Sequence, residues 1–332
     1  MIFLYSMEDN NAKGAEQANP FPFNNLFLIK GLVTGKNDFW RYLFGIVAAF
    51  LGYLSFQLIM MIPLLSSALS NGVTMAEITR NPNLLFNPEV VGVNKSLLLA
   101  LMMGMFVFTL LFLWLAIRFV QQKSLRSIIT GFERIRWSRY FFSFFLWGTL
   151  IVLLTVGTYL VSPQDIELRF NAGPFFTLVF VALIFIPIQT ATEELIFRGY
   201  LMQGLALLFK NGIIPLIITS ILFGLMHASN PEAKAHGLMI MMPYYIFFGA
   251  FLAVLTLLDE GSELALGIHC ANNLFSSLLV TSKNSVLQTD AIFYTAVENP
   301  GSEFIVWTIL AALCFFILQK KYKLTNWKLL IR

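Results

Sequence analysis

From Trp40 onward the chain alternates long runs of apolar side chains with short polar stretches. A run of about 20 apolar residues is the length of helix that crosses a bilayer. No other feature narrows the fold as far. In hydrocarbon every backbone N–H and C=O must find its partner within the protein, and a single apolar segment does that by forming a helix. Read by length and flanking charge, the runs predict spans near 41–66, 96–117, 140–161, 175–197, 213–228, 238–258, 264–282 and 303–319. The expected fold class is all-α, a polytopic membrane protein of about eight transmembrane helices. Composition agrees, at 58% hydrophobic and 12% charged residues with a mean hydropathy of +0.74, against about 25% charged in soluble domains. Soluble globules, disordered chains, collagen-like repeats and disulfide scaffolds are excluded.

The 22 Lys and Arg exceed the 18 Asp and Glu by 4, and the excess sits in loops. Between the second and third runs lie Arg118, Lys123, Arg126, Arg134, Arg136 and Arg139 against the single acid Glu133. The positive-inside rule makes that loop cytoplasmic. Alternation then places Lys30, Lys36 and Arg41 on the cytoplasmic side, together with the tail carrying Lys320, Lys321, Lys323, Lys328 and Arg332. Both termini are thus expected inside, with loops 67–95, 162–174, 229–237 and 283–302 outside. The expected organisation is a cytoplasmic segment 1–39, a helical membrane domain 40–320 with a motif core at 191–282, and a basic cytoplasmic tail 321–332. The bilayer is the expected partner and nucleic acid is not. Met1–Tyr5 is too short, and too soon followed by Glu8 and Asp9, for a cleaved signal. Met7 opens a more polar stretch and is an alternative start. Cys270 and Cys314 fall in apolar runs and are not expected to pair. Trp40, Trp137 and Trp307 near span ends fit interfacial anchors or helix-packing residues about equally.

A charged group at membrane depth costs about 2.5–3.5 kcal/mol on insertion scales, so such groups mark functional sites or buried partners. One dense cluster stands out: Glu193, Glu194 and Arg198, following the apolar run 175–188. On a helix Glu194 and Arg198 are i,i+4 neighbours able to form an ion pair. Glu193 lies about 140° round from Arg198 and keeps a free carboxylate. The bland reading is a solvated boundary at the end of a span. Two histidines also lie within apolar runs, His227 at i+4 from Phe223, and His269 at i+3 and i+4 from Asn272 and Asn273. Spacing does not choose between the two asparagines, and either histidine alone reads more readily as a packing residue than a catalyst. His236, in the loop 229–237, is expected to titrate in water without a role. A carboxylate, two imidazoles and an amide from separate helices are the groups that take a proton from water, return one to a leaving amine and hydrogen-bond an oxyanion. Hydrolysis fits them best. Two histidines and a glutamate, here His227, His269 and Glu193, could also bind Zn²⁺, although no His-Glu-x-x-His helix, P-loop or Gly-x-Ser-x-Gly elbow is present.

Glu193-Glu194-x-x-x-Arg198, Phe223-x-x-x-His227 and His269-x-x-x-Asn273, in this order on successive apolar runs, resemble the signature motifs of the CAAX prenyl endopeptidase and bacteriocin-processing family, also called Abi or type II CAAX proteases. The motifs cover about 80 residues, and the flanking helices match only in being hydrophobic. The resemblance implies an intramembrane endopeptidase in which Glu193 and His227 activate water, His269 and Asn273 stabilise the oxyanion, and Glu194 and Arg198 support the site. Members are described both as metal-dependent and as glutamate-based. Substrates in the family are prenylated proteins or small leader-type peptides, so a peptide or lipidated protein is the expected partner.

Two other classes use the same groups. One is a non-catalytic adaptor or immunity protein, the other a proton relay, which lacks here the matched interrupted helices of an internal repeat. Straight helices create one conflict. His269 would lie near the cytoplasmic end of its span while His227 ends a span leaving the cytoplasm, so the two differ in depth. A bend near Gly199 or at Lys210-Asn211-Gly212 would bring them level.

Overall fold

The computed structural model describes residues 21–331; the alternative start at Met7 lies outside them. The molecule is a helical bundle. A short helix α1 (Leu26–Val33) precedes α2 (Phe39–Ser70), α3 (Lys95–Val120), α4 (Trp137–Val161), α5 (Ala172–Phe209), α6 (Ile213–Met226), α7 (Pro231–His236), α8 (Leu238–Leu258), α9 (Glu263–Leu279) and α10 (Pro300–Tyr322). Each of the eight expected runs is a helix. However, six of them, α2, α3, α4, α5, α8 and α10, are long and apolar enough to count as membrane-spanning. The expectation of eight full spans is corrected for α6 and α9. At 1.5 Å per residue their 14 and 17 residues reach about 21 and 26 Å, short of a hydrocarbon core of about 30 Å. Helix α9 is also interrupted by Glu263, His269, Asn272 and Asn273.

Of these two, α9 is enclosed by the bundle, whereas α6 keeps one apolar face outward, with Ile217, Ile221, Leu225 and Met226 exposed. Helix α9 packs along α4 and α5, and α6 packs along α8. Glycine permits the closest approach: a Cβ on Gly267 would lie 2.3 Å from the Tyr140 backbone oxygen and 2.2 Å from Ser143 Oγ of α4. The long helices present apolar side chains outward, among them Leu58, Ile62, Leu160, Phe180 and Ile305. In water so much exposed hydrocarbon would be an aggregation surface, and in a bilayer it is the solvated face. The protein is an integral membrane protein. Trp40 and Trp137 are exposed at the starts of α2 and α4, as interfacial anchors would be, whereas Trp307 is buried against Trp147, Phe248 and Phe251. Cys270 and Cys314 are buried free thiols.

Contacts sort the loops into two groups at opposite ends. At one end Asn25 Nδ2 donates to the carbonyls of Leu257 (2.8 Å) and Leu329 (3.3 Å). Leu26 N donates to Glu260 Oε1, Gln203 Nε2 donates to Phe27 O and Ser127 O, and Arg136 and Arg139 both pair with Asp259. At the other end a small sheet runs β1 (Ile166–Leu168), β3 (Phe293–Thr295), β2 (Val280–Ser282), with β1–β3 antiparallel and β3–β2 parallel. Lys95 there faces Asp290 at 3.6 Å. His236 pairs through Nε2 with Glu298 Oε2 at 2.8 Å, a correction to its expected solvent role. The charged loop closes onto its neighbour because Glu298 offers a carboxylate that Asn284 also holds.

Candidate active site

Helix α5 supplies the densest part of the site. It runs unbroken from Ala172 to Phe209 but widens into a π-helical turn over Leu195–Leu201. A π turn adds a residue to the helix turn and often marks a functional site. It falls at the expected irregularity near Gly199, and the helix ends where Lys210 takes a left-handed conformation at φ 57°. Within the helix Thr190 and Thr192 return their hydroxyls to the carbonyls of Ile186 and Ile188, which satisfies them inside the apolar segment.

Glu194 and Arg198 form the expected i,i+4 pair, Nη1 to Oε1 at 2.9 Å, and both side chains are fully buried. Arg198 also donates through Nη2 to Gly249 O of α8 at 3.1 Å, and its guanidinium lies 4.4 Å from the Phe223 ring centroid. The same Oε1 of Glu194 receives Nδ1 of His269 at 2.7 Å. A buried carboxylate this close to Nδ1 makes it the N–H donor, so the tautomer of His269 is set. Its Nε2 then faces Glu193 Oε2 at 3.4 Å. Oε2 is enclosed and makes no hydrogen bond among the described residues. Two acceptors do not attract each other, so this contact is favourable when one proton lies between Nε2 and Oε2.

Asn273 Nδ2 lies 3.4 Å from the same Nε2 and donates to Gln189 Oε1 at 3.0 Å. Asn272, left level with Asn273 by spacing, points elsewhere: its Oδ1 accepts from Trp147 Nε1 at 3.1 Å and its Nδ2 donates to Asn273 Oδ1 at 3.1 Å. The structure therefore brings together Glu193, Glu194, Arg198, His269 and Asn273.

His227 is placed apart. Its Nδ1 bonds the Phe223 carbonyl one turn back at 2.8 Å, and its ring stacks on Tyr245 at 4.6 Å. Among the described residues no hydrogen bond or ion pair joins it to Glu193 or His269. Phe223 touches both imidazoles, with centroids 4.7 Å from His227 and 5.9 Å from His269, and so stands at the junction. Tyr245 in turn donates to Glu232 Oε1 at 2.8 Å, and burial holds the Glu232 carboxyl above its ordinary range. Sequence reading missed Gln189, Trp147, Tyr245 and Glu232. Gln189 carried a usable signal, being a carboxamide in an apolar run one turn before Glu193.

A zinc ion on two imidazoles and a carboxylate needs three donors converging on one point. Among the described residues no three His, Cys, Asp or Glu side chains do so. Both imidazoles use Nδ1 in hydrogen bonds and keep Nε2, as zinc ligands also do, so it is the lack of convergence that counts against the centre. As placed, these side chains do not fit such a centre.

The fold and site define a polytopic helical membrane protein with a buried Glu-His-Asn cluster, and comparison with known proteins places it among relatives. The family model for the type II CAAX prenyl endopeptidase, Rce1-like, matches residues 172–275, which include every residue of the cluster. The chain is 32% identical over 256 residues to the uncharacterized protein YyaK of Bacillus subtilis (strain 168), covering 76% of this chain and 82% of that protein. No solved structure matches. The chain belongs to the Rce1-like type II CAAX prenyl endopeptidase family.

Proposed function

We propose that the protein is an intramembrane endopeptidase that hydrolyses a peptide bond in a membrane-associated substrate, either prenylated or leader-type. One observation carries this reading. Each glutamate keeps one enclosed, unbonded oxygen, but Glu194 is neutralised through its other oxygen by Arg198 and His269, whereas the free oxygen of Glu193 faces an imidazole nitrogen. Glu193 is thereby the base. Its carboxylate takes a proton from water as the oxygen attacks the scissile carbonyl, and the C–N bond then breaks as that proton passes to the leaving amine. His269, held by Glu194 at Nδ1, offers Nε2–H to the developing oxyanion, and Asn273 Nδ2 adds a second donor. His227, half-buried beyond Phe223, keeps Nε2 for the attacking water or the leaving amine. Glu194 and Arg198 act through His269 as positioning residues.

The test uses purified full-length protein in liposomes, with a farnesylated CAAX-type fluorogenic peptide and a leader-type peptide. Wild type cleaves at least one. Glu193→Gln, nearly isosteric, lowers kcat by at least about 10³-fold while its melting temperature stays within a few degrees. Undiminished cleavage by this variant sinks the assignment.

A further inference from the structure

The asparagine of the cluster does not stand alone. Trp147 of α4, Asn272 and Asn273 of α9 and Gln189 of α5 form one chain of hydrogen bonds, with steps of 3.1, 3.1 and 3.0 Å. A carboxamide can point either way, because its oxygen and nitrogen are nearly the same size, whereas an indole N–H can only donate. Trp147 is wholly buried, packed on Trp307 and Phe251, so its Nε1–H cannot turn away. It demands an oxygen from Asn272. Asn272 must then present Nδ2 to Asn273, and Asn273 in turn donates from its own Nδ2 to Gln189 Oε1. Reversal of any link would set two donors or two acceptors face to face. Gln189 receives this chain through its oxygen, which leaves Nε2 with two N–H groups that make no hydrogen bond among the described residues and are not fully enclosed. Gln189 and Glu193 are i,i+4 on one face of α5, so those donors lie on the same side as the base.

We propose that Gln189 is a further catalytic residue, donating from Nε2–H to the carbonyl oxygen of the scissile bond, and that Trp147 is a positioning residue that sets the polarity of the amide chain ending there. The proposal rests on the endopeptidase reading. No covalent step is added to hydrolysis: the donors strengthen as the carbonyl oxygen gains charge and relax when the C–N bond has broken.

Kinetics of the full-length protein in liposomes with the farnesylated peptide test both roles. Gln189→Met keeps length and apolar bulk but removes the donor, and is expected to lower kcat about 10²-fold with KM within about threefold. Trp147→Phe removes the N–H together with part of the ring bulk, so that the amides can reverse; kcat should fall about three- to tenfold. An Asn273→Ala background separates the roles. There Trp147→Phe should cost nothing further, because it acts through the missing amide, whereas Gln189→Met should still lower kcat, because it meets the substrate itself. A merely structural Trp147 would multiply its loss in both backgrounds, and that result overturns the positioning role. Gln189→Met within twofold of wild type, or inert in the Asn273→Ala background, overturns the catalytic role; if Gln189→Met fails to fold, Gln189→Leu replaces it. Failure of the underlying reading looks different, since wild type and Glu193→Gln would then behave alike.

Discussion

Glu193 and Glu194 are adjacent and chemically identical, and they differ only in what surrounds them. One helical residue, or about 100° of rotation, turns Glu194 toward Arg198 and His269 Nδ1 and leaves the free oxygen of Glu193 facing His269 Nε2. The ion pair and the free carboxylate were foreseeable from i,i+4 spacing, because neighbours on one helix are fixed by its pitch. The partnership of His269 with both glutamates was not, since it joins residues 75 positions apart. Lys123 is a second instance. It is buried with only neutral oxygens as partners, Gly31 O at 2.7 Å, Tyr42 Oη at 2.9 Å and Asn37 Oδ1. Burial without a carboxylate lowers its pKa from 10.5 to about 7. Between those values the unfolded chain holds a proton that the folded chain has released. Stability therefore rises with pH across the window, by at most about 1.4 kcal/mol per unit, and is lowest below pH 7. Thermal unfolding in detergent from pH 7 to 9.5 should show this rise, and Lys123→Met should flatten it; an equal slope in the variant would count against the assignment.

At the scale of elements, hydropathy located all eight long or short apolar helices and most of their ends. Helix α5 was the main exception. Expected at 175–197, it extends to Phe209 through a π turn, and the apolar stretch 201–209 carries no mark that distinguishes continuation from a loop. The eight-residue α1 and the three-residue strands were also missed, being too short for a hydropathy window to register. The two histidines stay apart: His269 meets the glutamates, while His227 caps α6 a turn beyond Phe223. What holds α9 in place is its seam with α4. At Gly267 a methyl group would strike a main-chain oxygen, which cannot rotate away as a side chain can. Gly267→Ala is expected to cost about 1–3 kcal/mol of stability and, being two residues from His269, to lower cleavage as well. Melting temperature and kcat measured together check this, and unchanged values in both would show that the seam has slack.

At the scale of the molecule, the two ends of the bundle agree with the alternation of loops. The basic loop 121–136, the segment before α2, the turn at 259–262 and the tail near Leu329 meet at one end. Loops carrying Lys95, His236, Asp290 and Glu298 meet at the other. The first end is expected to face the cytoplasm, by the positive-inside rule. In a variant with Cys270 and Cys314 replaced by serine, single cysteines at the exposed positions Lys36, Lys320 and Lys283 test this with a membrane-impermeant thiol reagent. In intact cells Lys283→Cys should label, while Lys36→Cys and Lys320→Cys should label only after permeabilisation. Labelling of Lys36→Cys and Lys283→Cys from the same side would refute the arrangement.

Membrane residence, the number of apolar helices and the pairs within one helix follow from local quantities, transfer free energy and a 100° turn, and these can be read along the chain. Which imidazole meets which carboxylate, and that a buried indole sets the direction of three amides, depend on helix depth, tilt and a glycine seam. Those emerge when the helices pack, because a side chain's reach across a helix interface is a few ångströms and its sequence neighbours carry no information about what stands on the other side.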